Sequence, residues 1–210
     1  MNTIITVTGP TCSGKTTLVR HLLQLGGFTE VISTTTRPMR AGEVEGETYY
    51  FKTLDEFNKC DMIERIDFNG NAYGVSRQEL ESKFSSGLIP VVIVEPNGLM
   101  QINENSQKLG WDVVNVFVDC PEELQYRRFL QRFADDYKRV LAEGEFFGLN
   151  KVLDEYASRL KMISLVEKHW IDMFMTYSRT SRSIYVESYQ KDNEQETIEK
   201  IQNKLYKMPA

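Results

Sequence analysis

Cysteine and histidine are scarce in this chain, and their scarcity removes several kinds of chemistry. The three cysteines, Cys12, Cys60 and Cys120, are widely spaced and odd in number, so neither a disulfide framework nor a zinc spacing is present. A reducing, cytoplasmic compartment is expected. His21 and His169 have no Cys or His partner at ligand spacing and read as helix-surface or packing residues. Excess positive charge is lacking too. Lysine and arginine number 25 against 30 aspartates and glutamates, a balance of −5, which argues against a broad nucleic-acid surface. No apolar run reaches membrane length and no charged-then-apolar leader opens the chain, so no membrane partner is expected. Repeats and low-complexity linkers are missing as well. What is there is a 210-residue chain, 41% apolar and 26% charged, sufficient for one globular domain with a real core.

The clearest positive signal is Gly9-Pro10-Thr11-Cys12-Ser13-Gly14-Lys15-Thr16, which reads G-x-x-x-x-G-K-T, the pattern of a phosphate-binding loop. Its context fits. The β-branched run Thr3 to Thr8 before it reads as a buried strand, and Thr17 to Leu25 after it is helical in period and stopped by Gly26-Gly27. Glycines let backbone N–H groups turn onto phosphate oxygens at a helix N-terminus. Lys15 is placed to reach the β and γ phosphates of a nucleoside triphosphate, and the Thr16 hydroxyl to hold Mg²⁺. Cys12 is expected to be a small filler whose backbone N–H matters.

The rest of the chain alternates strands with helices. Strands are expected at Phe28 to Ser33, Ile89 to Glu95, Val113 to Asp119 and Ser183 to Glu187. Helices are expected from Ser76 to Gly87, from Pro96-Asn97-Gly98 to Lys108, after Pro121, and at Lys151 to Met175 and Asn193 to Tyr206. Such alternation implies a parallel sheet covered on both faces, with a ligand at the carboxyl ends of the strands, where the loop, Ser33 and Glu95 fall. Between 34 and 75 the rhythm breaks. A polar loop, Thr34 to Gly42, leads to a strand at Glu47 to Phe51. Thr53 and Glu56 make a capping box for a short helix, and two strands, Met62 to Phe68 and Asn71 to Val75, meet at an Asn69-Gly70 turn. Arg37 and Arg40 stand three apart in the polar loop, with Tyr49 behind, and could clamp a second phosphate group. Asp135 to Asn150 is charged and weakly periodic. Gly144 and Gly148 within it read equally as hinges or as loop glycines.

These blocks together resemble guanylate kinase, a nucleoside monophosphate kinase family. The resemblance is carried by the loop Gly9 to Thr16, by Ser33-Thr34-Thr35-Thr36-Arg37-Pro38-Met39-Arg40-Ala41-Gly42-Glu43-Val44-Glu45-Gly46, by Tyr49-Tyr50-Phe51, and by Met62 through Gly74. Beyond residue 90 the likeness is to the general layout. The family implies an α/β P-loop fold of three layers, with a five-stranded parallel core sheet, an inserted β-rich lobe for the nucleoside monophosphate and a helical lid. By that division the core is 1–33, 76–133 and 151–210, the lobe about 34–75 and the lid about 134–150. It implies that Gly9, Pro10, Thr11, Cys12, Ser13, Gly14, Lys15, Thr16 and Thr17 hold ATP. Arg37, Arg40, Tyr49 and Tyr73 would hold the acceptor's phosphate, and Ser33 and Glu64 would read its base. A carboxylate matches the two N–H donors on the N1/N2 edge of guanine. Arg128, Arg132 and Arg159, with Lys15, would neutralise the transferring phosphoryl group.

Three positions depart from the family. Val75 stands where a Ser or Thr contacts guanine. Ile93 and Glu95 replace a pair of aspartates, leaving Glu95 as the one acid near Mg²⁺ or the acceptor. The stretch between Arg132 and Arg159 is 26 residues, longer than a compact lid needs, with Arg139 inside it. The implied activity is ATP·Mg²⁺-dependent phosphorylation of GMP or dGMP by a monomer or homodimer. Two alternatives stay open: a deoxynucleoside monophosphate kinase of broader or altered base range, and a non-catalytic guanylate-kinase-like module that binds protein partners. A GTPase switch is disfavoured: the N-K-x-D spelling Asn58-Lys59-Cys60-Asp61 falls at the end of the short helix expected after Thr53, not after an apolar core strand.

Overall fold

The computed structural model describes residues 2–40, 42–68, 70–142, 144, 146–177, 182–186 and 193–206. Its main sheet is built from β1 (Thr3–Thr8), β2 (Phe28–Glu30), β7 (Ile89–Ile93), β8 (Asp112–Val118) and β9 (Arg182–Val186). They lie in the order β2-β7-β1-β8-β9, and every neighbouring pair is parallel. The central strands are apolar on both faces because both faces are covered. Ile5 and Val7 pack with Leu18 and Leu22 of α1 (Lys15–Gln24) and Ile201 of α8 (Glu194–Tyr206). Ile4, Val92 and Phe117 pack the other way, against Leu80 of α3 (Arg77–Ser85), Leu99 and Ile102 of α4 (Pro96–Leu109) and Trp170 and Phe174 of α7 (Trp170–Tyr177). This is the three-layer α/β arrangement expected. Of the expected elements, Ala41 of the polar loop, Asn69 of the turn, Glu143 and Glu145 of the lid and Glu187 of the last strand lie outside the described residues.

A second sheet has the order β4-β3-β6-β5, from β3 (Thr34–Thr35), β4 (Tyr50–Phe51), β5 (Met62–Phe68) and β6 (Asn71–Ser76). Here local reading fails in places. Thr34 and Thr35, expected in a loop, form a fully buried strand between β4 and β6. Distant partners supply the pairing that two residues alone cannot signal. The strand expected from Glu47 begins only at Tyr50, because a turn closed by the Thr48 N–H on Val44 O occupies the positions before it. β2 likewise stops at Glu30, short of Ser33. The capping box at Thr53 and Glu56 is present and opens α2 (Leu54–Asn58). At Ser76, the N-cap of α3, Ser76 and Glu79 form only half of a second capping box. Ser76 Oγ accepts the Glu79 N–H, but the Glu79 carboxylate turns away to the Ile32 N–H, the Tyr50 hydroxyl and Lys83. Glu79 thus ties the two sheets together.

The weakly periodic stretch is helical. α5 (Glu122–Ala142) and α6 (Phe146–Leu165) fold back on each other. Phe129, Tyr156 and Ile163 form the seam, flanked by Tyr126, Phe133 and Val152, and the Tyr156 hydroxyl donates to Asp136 at 2.5 Å. The single helix expected over Lys151 to Met175 breaks after Leu165. A 3₁₀ turn, Glu167–His169, redirects the chain so that α7 can lie on the sheet.

Candidate functional site

β1 ends at Thr8 and hands the chain to the glycine-rich loop, which runs into α1. Gly9 has φ +146°, and a Cβ there would lie 2.0 Å from the Val118 carbonyl oxygen of the neighbouring strand, so only glycine fits. Cys12 is the only non-glycine at positive φ among the described residues, at 61°. Lys15 folds over the loop and donates to Gly9 O and Pro10 O, each at 2.7 Å. Burial lowers its pKa to about 8, opposed chiefly by Glu167 and then by Cys12, Glu95 and Cys120. Burial pushes the Cys12 thiol up, with Arg132, Lys15 and Arg159 opposing the rise. The hydroxyls of Thr8 and Ser13 are buried without a hydrogen-bond partner among the described residues, two donors left over at the root of the loop.

A cavity of about 790 Å³ opens on the loop. Thr11 to Thr17 line it on one side, Arg128, Arg132 and Arg159 on another, and His21 with Glu194 at a further edge. The helical hairpin explains how arginines so far apart in sequence share one cavity: α5 brings Arg128 and Arg132, and α6 returns with Arg159. Arg128 donates to Cys12 O at 3.1 Å, which fixes the helix to the loop. Arg159 is paired with Glu155 at 2.9 Å, and Arg139, out along the hairpin, with Asp136. His21 pairs with Glu194 across 3.1 Å.

The residues of the second sheet gather separately. Arg37 forms a two-pronged pair with Glu43, at 2.6 and 3.0 Å, and lies over the Tyr49 and Phe51 rings. The Tyr49 ring meets Tyr73 edge-on, and the Arg40 N–H donates to the same Glu43 at 2.7 Å. Ser33 closes the path to β4 through its carbonyl, which accepts the Tyr50 N–H. Glu64 is 5% exposed, and burial raises its pKa to about 7, with Glu95 adding to the rise and the Val75 N–H opposing it. Val75 lies opposite Glu64 in the β5–β6 register and is fully buried. Glu95 stands at the N-terminal entry to α4 without a side-chain capping bond, and its pKa is also raised, first by burial and then by Glu167. Ile93 is partly exposed at the end of β7, and Glu95 also lines a second cavity of about 430 Å³ with Asn97 and the last residues of β5, Arg65 to Phe68.

Four contributors escape sequence reasoning. Gly98 makes room for Glu64, since a Cβ there would stand 2.8 Å from its Oε1. Glu43 holds Arg37 and Arg40 in one place. Glu167 accepts hydrogen bonds from Thr11, and Gln125 joins it from α5. Only Glu167 leaves a sequence signal: a charge that interrupts the apolar spacing Met162, Ile163, Leu165, Val166.

A family model described as guanylate kinase matches residues 1–163, so the likeness does not fade at residue 90 but continues into α6. The guanylate kinase of Anaplasma phagocytophilum is 32% identical over 186 residues, covering 79% of this chain and 87% of that protein. The guanylate kinase of Rhizobium meliloti is 30% identical over 144 residues, 66% of this chain. The chain spans 64% of the length of that relative. The crystal structure of the Anaplasma phagocytophilum guanylate kinase superposes with a TM-score of 0.56 at 21% identity, over 97% of this chain and 84% of that one, a likeness of fold.

Proposed function

Because the chain belongs to the guanylate kinase family, we propose that it transfers the γ-phosphoryl group of ATP to GMP or dGMP, giving ADP and the nucleoside diphosphate. The observation that carries this reading is the convergence of Lys15 with Arg128, Arg132 and Arg159 on a single cavity lined by the loop. Phosphoryl transfer needs no side-chain nucleophile. It needs the two substrates aligned and the charge on the moving group neutralised in a place without water. Loop amides and Lys15 would bind the donor's phosphates, and the three arginines would gather charge around its γ end. For this, Lys15 must exchange the carbonyls of Gly9 and Pro10 for phosphate oxygens. Magnesium fits the Thr16 hydroxyl, a hard oxygen donor exposed at the loop's end, and would supply further neutralisation of phosphate charge.

On the acceptor side, Arg37, Arg40, Tyr49 and Tyr73 would take the monophosphate, with Glu43 yielding its hold on Arg37. Glu64, with Ser33, would read the guanine edge. In this reading the four-stranded sheet (about 34–75) is the acceptor lobe, the hairpin tip (about 134–150) the lid, and the rest the core. The protein would act in the cytoplasm as a monomer or homodimer. Among the described residues no helix is long and apolar enough to cross a membrane.

The buried, apolar Val75 opposite Glu64 favours a second reading of the same class, a kinase with a broadened base range that includes other deoxynucleotides. A coupled ADP-release assay across the common ribo- and deoxynucleoside monophosphates separates the two. Turnover confined to GMP and dGMP supports the first. Turnover on thymidylate or cytidylate supports the second, and no turnover on any acceptor contradicts both.

A further inference from the structure

Glu167 is a carboxylate that phosphoryl transfer does not require, yet it is buried at the corner where α6 gives way to α7, 6% exposed. Its Oε2 accepts the Thr11 N–H at 2.8 Å and a Gln125 Nε2–H at 2.7 Å, and its Oε1 accepts the Thr11 hydroxyl at 2.5 Å. All three donors are neutral. Burying a charge on neutral donors alone is unfavourable, and a glutamine of the same size would avoid the penalty. The charge therefore has work that a neutral side chain does not perform.

That work is visible in the Pro10–Thr11 peptide, a single rigid plane. Its N–H edge faces Glu167. Its carbonyl edge accepts Lys15 Nζ at 2.7 Å and the Ser13 N–H at 3.2 Å. The carboxylate holds one edge of the plane and Lys15 and Ser13 the other, so a flip breaks bonds on both edges, and the Glu167 and Ser13 bonds remain when Lys15 turns to phosphate. The same carboxylate also reaches α5. Gln125, Arg128 and Arg132 are spaced three and then four apart, on one helix face. Arg128 touches the loop directly at Cys12 O. Glu167 therefore meets the loop and the arginine-bearing helix at once.

We propose that Glu167 is a positioning residue for the phosphate end of the donor nucleotide: it fixes the Pro10–Thr11 peptide and, through Gln125, sets the arginine helix against the loop. The identity of the donor rests on the kinase reading above; the geometry does not. The test compares wild type, Glu167→Gln, Thr11→Ala and the double variant by calorimetric titration with ATP and separately with GMP, beside steady-state kinetics and melting temperature. In Glu167→Gln, ATP binding weakens and KM for ATP rises, each by about tenfold, while KM for GMP stays within about twofold and the melting temperature holds. Thr11→Ala, which keeps the backbone N–H bond and loses only the hydroxyl bond, weakens ATP binding less, and the double variant is no worse than Glu167→Gln, because the hydroxyl bond is one of those that Glu167 makes. Unchanged ATP affinity in Glu167→Gln overturns the proposal. So does an equal loss of ATP and GMP affinity with a fallen melting temperature, the mark of a purely structural residue, and so does a wild type that binds no ATP. A wild type that binds ATP in a Glu167-dependent way but transfers no phosphoryl group contradicts the kinase reading and leaves this inference standing.

Discussion

Glu64 shows how a single residue links recognition to stability. Burial holds its carboxyl at about 7, against an ordinary 4.5. Between those values the folded state binds the proton that the unfolded state releases, so stability falls as pH rises from 4.5 to 7, and the full penalty stands above 7. At about 1.4 kcal/mol per pH unit this penalty is worth about 3 kcal/mol. Glu64→Gln should therefore raise the melting temperature at pH 8 and leave it unchanged at pH 4, as thermal denaturation at the two pH values will show. Reading guanine demands the charged form, so KM for GMP in the wild type should rise about tenfold between pH 8 and pH 6. Val75 is the neighbouring test. Val75→Thr sets a hydroxyl beside Glu64, and should lower KM for GMP by about tenfold while costing about 1 kcal/mol of stability in chemical denaturation, since a hydroxyl enters a closed core.

At the scale of elements, the helical hairpin decides whether the arginines meet. Its seam is written in the sequence as Tyr126, Phe129, Phe133, Tyr137 and Val140 on α5, spaced by three or four, answered by Val152, Tyr156 and Ile163 on α6. Charged residues and two glycines around the turn hide that period from local reading, and only the pairing of the two helices makes it plain. Tyr156 packs on Phe129 and Phe133 and lies one turn before Arg159. Tyr156→Ala should destabilise the hairpin by about 3 kcal/mol. Hydrogen exchange should then quicken in α5 and α6 and not in β1 or β8, and kcat should fall with little change in KM for GMP. The two-residue strand at Thr34 was illegible for a related reason. A strand that short has no period of its own, and its partners lie 16 and 40 residues downstream.

Over the whole molecule, legibility follows the range of the interactions. The parallel sheet could be read because its central strands are β-branched or apolar runs set between helical stretches, and the phosphate loop because strand, glycines, lysine and helix are contiguous. What could not be read is what joins distant segments: Glu79 bracing one sheet on the other, Gly98 leaving room for Glu64, and Glu167 meeting Thr11 across 156 positions of sequence. The central claim is that the donor's γ-phosphoryl group passes to a nucleoside monophosphate at the cavity around Lys15. The most direct measurement mixes the protein with GMP and ATP labelled in its γ-phosphoryl group, and follows the label over one turnover in wild type and Lys15→Ala. The account predicts labelled GDP from the wild type and at least a ~100-fold slower appearance from Lys15→Ala, whose melting temperature is unchanged. Label that stays in ATP with the wild type, or that reaches GDP equally fast without Lys15, would contradict it.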